Sequence, residues 1–232
     1  MGKDVIVACD FESAEKTFAF LDKFTGKKPF VKIGMELFYA EGPSIVRELK
    51  KRGHKIFLDL KLHDIPNTVK KSMAVLSRLD VDMTNLHAAG TTKMMQEALV
   101  GLTRPDGTRP LLIAVTQLTS TDEESMKKDL LINEPIDKVV MHYANNAKIA
   151  GLDGVVCSPL EAGKVHDLCG KNFVTVTPGV RFADGDVGDQ KRVTTPAKAK
   201  EIGSDYIVVG RPITAADDPV KAYERCLAEF VD

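Results

Sequence analysis

The 232-residue chain has no tryptophan, only four cysteines and almost no net charge, with 32 basic side chains set against 33 acidic ones. Each shortage removes a class of function. Without a basic excess there is no field to draw in nucleic acid or an anionic membrane. Ten phenylalanines and four tyrosines, with no basic patch among them, offer little for base stacking. No stretch approaches the roughly 18 apolar residues of a membrane span. The apolar run near the start, "VIVAC", gives way to Asp10 after five residues, too short for the core of a signal peptide. Cys9, Cys157, Cys169 and Cys226 are scattered, with no Cys-x-x-Cys pair, and read as buried, reduced thiols. The five histidines show no metal-ligand spacing, and there is neither a Gly-x-Gly-x-x-Gly nor a Gly-x-Ser-x-Gly motif. A soluble, cytoplasmic protein is expected, with no metal, nucleic-acid partner or membrane anchor.

Short β-branched runs alternate with longer amphipathic ones. "DVIVACD" reads as a strand and "ESAEKTFAFLDKF" as the helix behind it; "FVKIGME" and "PSIVRELKKRG" repeat the pair, as do "HKIFLDLK" and "IPNTVKKSMAVLSRL". Five further pairs follow, ending with "SDYIVVGRPI" and "DPVKAYERCLAEF". Eight strand-helix units and no change of composition that marks a linker predict an α/β fold, a closed (β/α)8 barrel forming a single domain over residues 1–232. An open doubly wound sheet more often has five or six strands. Reactive groups in such barrels sit where strands end and loops begin. Two connections there are long, residues 119–135 after the fifth strand and 181–196 after the seventh; each reads as a lid or as a solvated excursion.

The third strand ends in "FLDLKLHDIPNT". With side chains alternating, Asp59 and Lys61 face one way and Leu58, Leu60 and Leu62 the other. The leucines then meet the helices, and the charges enter the barrel mouth, where acids and lysines need partners. A lone Asp-x-Lys reads simply as an ion pair, and Asp64 as a group near the helix that starts at Pro66. Lys32, at the end of the second strand on the face it shares with Gly34, turns the pair into a network. At the other side of the mouth, "TPGVR" supplies Gly179 and Arg181, and "VVGRP" supplies Gly210 and Arg211. These follow strands seven and eight, where backbone N–H groups and arginine often hold phosphate in this fold; turn glycines beside surface arginines are the plainer reading.

"DLKLHDIPNT", "TPGVR", "DQKRV" and "YIVVGRPI", in this order and spacing, resemble the orotidine 5'-phosphate decarboxylases over essentially the whole chain. The resemblance implies that Lys32, Asp59, Lys61 and Asp64 form an alternating charge network, Asp64 reaching into a neighbouring subunit's site. Asp10, Lys32 and the neighbour's Thr68 would bind ribose, and Thr119 would read the pyrimidine. Pro178 would line the pocket, and Arg181, Gln190, Gly210 and Arg211 would hold the phosphate. It implies a homodimer, OMP as substrate, UMP as product, and no cofactor. Lys61 would support a carbanion at C6 and protonate it. Two alternatives are weighed against this. One is a magnesium-dependent sugar-phosphate decarboxylase or hexulose-phosphate synthase of the same superfamily, which resembles Asp-x-Lys-x-x-Asp but carries an acidic metal ligand where this chain has Lys32. The other is a catalytically silent phosphate-binding barrel.

Overall fold

The computed structural model describes residues 3–184 and 194–232. In order these form β1 (Asp4–Ala8), α1 (Ala14–Leu21), β2 (Phe30–Gly34), α2 (Met35–Glu41), α3 (Pro43–Lys51), β3 (Ile56–Leu62) and α4 (Pro66–Leu76). β4 (Met83–His87), α5 (Thr91–Leu102), β5 (Leu111–Val115), α6 (Glu123–Asp129), α7 (Ile136–Ile149), β6 (Gly154–Val156) and α8 (Ala162–Cys169) follow. β7 (Val174–Thr177), α9 (Pro196–Ile202), β8 (Tyr206–Val209), α10 (Arg211–Thr214) and α11 (Pro219–Phe230) complete the chain. The strands pair in sequence order, all parallel, and β8 closes on β1. The protein is a (β/α)8 barrel.

Alternation along each strand separates two apolar layers. Ile6, Phe30, Phe57, Met83, Ile113, Val176, Tyr206 and Val208 point inward and fill the barrel. Val5, Val7, Ile56, Leu58, Leu86 and Val209 point outward against the helices. The helices present matching stripes. α11 is capped by the Asp218 carboxylate accepting from the Lys221 N–H, begins with Pro219, and buries Tyr223, Cys226 and Phe230 at helical spacing.

The face opposite the strand ends is held by a repeated device. Asp82, Asp153 and Asp205, each just before an even-numbered strand, accept the backbone N–H of Ile56 (2.8 Å), Leu112 (2.7 Å) and Thr175 (2.8 Å) on the preceding odd strand. Each carboxylate also meets a cationic or imidazole partner: Lys50, Arg109 and His166. Charges at this end of a barrel stabilise the fold and leave the other end to chemistry.

Three local readings are corrected. Met35 and Glu36 do not extend the second strand; Gly34 ends it and α2 starts at once. The stretch 119–135 is no bare loop, because Asp122 caps a short helix, α6, with Glu123 and Glu124 in its first turn, Lys127 and Lys128 in its last, and Met126 buried. His54 lies between α3 and β3 rather than opening the third strand, buried with Nδ1 2.9 Å from the Pro29 carbonyl. The four cysteines are free and buried, and burial pushes the Cys9 thiol up to about 12. Among the described residues no helix is long and apolar enough to cross a membrane.

Candidate active site

The charges gather where β1, β2 and β3 end. β2 places Lys32 beside Ala8 of β1 and Phe57 of β3, and small Ala8 leaves room for the lysine stem in the inner layer. Lys32 Nζ lies 2.8 Å from Asp10 Oδ1 and 3.4 Å from Asp59 Oδ2. Asp59 Oδ1 in turn takes Lys61 Nζ at 2.7 Å. The sequence Asp10–Lys32–Asp59–Lys61 thus runs as a chain of alternating charge. Lys32 and Asp59 are buried, whereas Lys61 is only partly covered and opens toward the mouth.

Regular alternation alone does not account for this arrangement. Leu58 pairs with Thr84, but Leu62 pairs with Leu86, so four steps along β3 match two along β4. The extra residues form a bulge, a device that re-aims side chains beside active sites. Lys61 itself sits at φ 51°, a left-handed conformation costing an L-residue roughly 1–2 kcal/mol. Strain of this kind persists only where neighbours enforce it. Leu58 and Leu60 still face the helices, and Leu62 packs against the same layer.

Opposing effects act on the two buried charges. Burial disfavours the Lys32 ammonium, but Asp59 and Asp10 outweigh it and hold its pKa above the ordinary 10.5. Burial likewise raises the Asp59 carboxyl, and Lys32 and Lys61, with hydrogen bonds from Lys61 and Asn85, pull it below the ordinary 3.8. The signs define a pH window. A depressed carboxyl contributes stability that is present above its unfolded pKa and lost as pH falls through the folded value. A raised lysine contributes stability that is present below its unfolded pKa and lost as pH rises through the folded value. The stability difference between wild type and Asp59→Asn, measured by denaturant unfolding, is therefore expected to shrink as pH drops below about 4. A difference constant from neutral pH to about pH 3 contradicts the assignment.

Lys32, Asp59, Lys61, Thr119 and Pro178 line one cavity of about 220 Å³, floored by Phe57 and Val208. Arg181 and Arg211 line a larger one of about 750 Å³; each arginine lies three residues beyond Pro178 or Val208 on the same chain segment. The charge network borders the smaller space. Gly179, at φ 83°, turns the chain after β7. Beyond it the Arg181 N–H donates to the Thr194 carbonyl at 2.9 Å, which joins the two stems of the 181–196 connection. Gly210 caps α10, and Arg211 is its first residue. Asp64 and Thr68 are exposed at the start of α4, outside the cavity. Gln190 lies outside the described residues.

Sequence reasoning missed Asn85, Gln117 and Ser120. The latter two line the 220 Å³ cavity. Asn85 is wholly buried and donates to Asp59 Oδ1 at 2.7 Å. Its signal was present: in "MTNLH", alternation puts Met83, Asn85 and His87 on the inward face, and an amide there needs polar partners.

Comparison with known proteins covers nearly the whole chain. The model of the orotidine 5'-phosphate decarboxylase / HUMPS family matches residues 3–226. A protein named orotidine 5'-phosphate decarboxylase from Bacillus cytotoxicus is 57% identical over 227 residues, covering 97% of this chain and 95% of its own. One of the same name from Bacillus mycoides is 56% identical with the same coverage. The crystal structure of orotidine 5'-phosphate decarboxylase from Lactobacillus acidophilus superposes with a TM-score of 0.88 at 43% identity, covering 99% of this chain and all of that one. An uncharacterized conserved protein from Geobacillus kaustophilus superposes with a TM-score of 0.87 at 49% identity, covering 97% of this chain and 99% of that one. With its barrel and nearly its whole length matched, the chain belongs to the orotidine 5'-phosphate decarboxylase / HUMPS family.

Proposed function

We propose that this protein converts orotidine 5'-monophosphate (OMP) to uridine 5'-monophosphate (UMP), a step of pyrimidine biosynthesis, without a cofactor. The observation that carries the mechanism is the Lys61 ammonium, 2.7 Å from Asp59 at the rim of the cavity. Cleavage of the C6–carboxylate bond releases carbon dioxide and leaves the electron pair on C6, outside the ring's π system, where the substrate offers no sink. A fixed cation beside that pair stabilises it electrostatically. Lys61 then gives its proton to C6 and recovers one from solvent. Asp59 aims the ammonium and Lys32 anchors Asp59.

Asp10 and Lys32 hold the ribose hydroxyls, Thr119 reads the pyrimidine, and Pro178 lines the ring pocket. Arg181, Gln190, Gly210 and Arg211 hold the phosphate. Exposure of Asp64 and Thr68 supports their acting in a neighbouring subunit's cavity, Asp64 against Lys61 and Thr68 on the ribose. The protein is therefore read as a cytoplasmic homodimer whose chain, residues 1–232, forms one catalytic domain.

The family's magnesium-dependent sugar-phosphate branch is the second reading. The Lys32 ammonium, 2.8 Å from Asp10 and 3.4 Å from Asp59, neutralises the carboxylates a divalent cation would need and repels the cation itself. The test is loss of OMP absorbance on adding purified protein in EDTA. Conversion to UMP supports the proposal; inert OMP, with turnover of a sugar phosphate on adding magnesium, selects the other branch.

Gly34 offers a finer test. A Cβ there would lie 2.9 Å from Asp10 Oδ1 and 3.1 Å from Lys32 Nζ. Both are ends of side chains and can yield, so Gly34→Ala is expected to fold with nearly unchanged Tm. Parting the pair should weaken UMP about tenfold, close to 1.4 kcal/mol, by titration calorimetry. Unchanged affinity removes the Asp10–Lys32 pair from the ribose site.

A further inference from the structure

The geometry points to Asn85 as a positioning residue of this decarboxylation, one amide that both shapes the backbone of Lys61 and fixes the carboxylate that aims its ammonium. The inference rests on the functional reading above. Asn85 Oδ1 accepts the Lys61 backbone N–H at 2.8 Å, and Asn85 Nδ2 donates to Asp59 Oδ1 at 2.7 Å. That same Asp59 oxygen receives Lys61 Nζ at 2.7 Å. Three hydrogen bonds thus close a loop from the Lys61 backbone through Asn85 and Asp59 to the Lys61 side chain.

The bulge explains why an amide is needed. Where β3 carries its extra residues, the Lys61 N–H bonds to this side chain instead of a β4 carbonyl, and a buried N–H left unpaired costs about 1–3 kcal/mol. The Asn85 oxygen stands in for the missing strand partner and holds Lys61 at φ 51°. Its nitrogen faces an ionised carboxylate and must donate. Only a group with an acceptor and a donor side by side does both. Aspartate has the shape without the donor, leucine the volume without either.

Substitution by aspartate separates the two functions. Asn85→Asp keeps an acceptor for the Lys61 N–H but sets a second carboxylate 2.7 Å from Asp59. Around Asp59 stand Lys32 from β2, with Asp10 behind it just beyond β1, Lys61 on β3 itself, and His87 on β4, whose ring lies 5.7 Å from that of His63. Burial holds the His87 pKa below the ordinary histidine value, with further lowering by His63 and Lys61. Two carboxylates at this distance share a proton, and the Lys61 ammonium loses its aim.

The experiment is steady-state OMP turnover by wild type, Asn85→Asp and Asn85→Ser between about pH 5 and pH 9, with UMP affinity and Tm measured on each protein. Asn85→Asp is expected to bind UMP within about threefold of wild type while kcat falls on the order of 10²-fold and its acid limb moves to higher pH. Asn85→Ser, which keeps a shorter hydroxyl, is expected to lose less kcat with no such movement, and it decides by the same split of kcat from affinity should Asn85→Asp fail to fold. Wild-type kcat with an unmoved pH profile in the aspartate variant overturns the inference. So does loss of kcat and UMP affinity together, in step with Tm, since that marks packing alone. Wild type that leaves OMP untouched sinks the functional reading itself and takes this inference with it.

Discussion

Lys61→Ala is expected to lower kcat on OMP by on the order of 10⁴-fold or more while leaving the protein folded. The size follows from two roles in one side chain. Removing a preorganised charge at a developing anion costs about 10²–10³-fold, and removing a general acid about 10²–10⁴-fold. The structure supplies the reason the fold survives. Lys61 is partly exposed at a strand end, and alanine keeps the backbone N–H that Asn85 holds, so the bulge survives the substitution. Asp59 keeps Lys32 at 3.4 Å and the Asn85 amide at 2.7 Å, so it is not left as an unpaired buried charge. UMP should bind to Lys61→Ala within about tenfold of wild type, because the lysine contributes chiefly in the transition state. Comparable losses in kcat and in UMP affinity would assign Lys61 to ground-state binding instead.

The second large effect is expected at a group distant from C6. Arg211→Ala should lower kcat/KM for OMP by about 10²–10³-fold, with part of the loss in kcat. Arg211 opens α10 directly after β8 and lines the larger cavity with Arg181. Phosphate held there can order the charge network, so that remote binding energy is expressed at the reacting carbon. Orotidine, which lacks the phosphate, serves as the internal control: its slow turnover should be the same for Arg211→Ala and wild type. A variant that raises only KM would confine Arg211 to uniform binding.

The sequence carried most of the fold. Its strand-helix alternation counted out eight units, and in the third strand period two set Asp59 inside and Leu58 and Leu60 outside as expected. Short elements escaped. α2 starts without a gap after Gly34, and α6 hides in a polar stretch whose single buried apolar side chain is Met126, too little for a periodic pattern to register. The orientation of Lys61 was anticipated for an incomplete reason. Strict alternation gives the same face that the bulge gives, but the left-handed turn is imposed by Asn85 from the next strand, and no local propensity encodes a tertiary contact of this kind. Asp64 and Thr68 show the opposite limit. Their residue types are plain in the sequence, yet both are exposed on the single chain, and their expected work lies in a neighbour's cavity.

The central claim is that a fixed Lys61 ammonium stabilises an electron pair on C6. UMP carries a proton at that carbon, so the claim predicts that the protein, incubated with UMP in D2O, exchanges the C6 hydrogen for deuterium, as followed by proton NMR. Exchange catalysed by wild type and lost in Lys61→Ala is the predicted result. Exchange at the wild-type rate in Lys61→Ala, or rapid OMP decarboxylation by a protein that never exchanges the C6 proton of UMP, would contradict it.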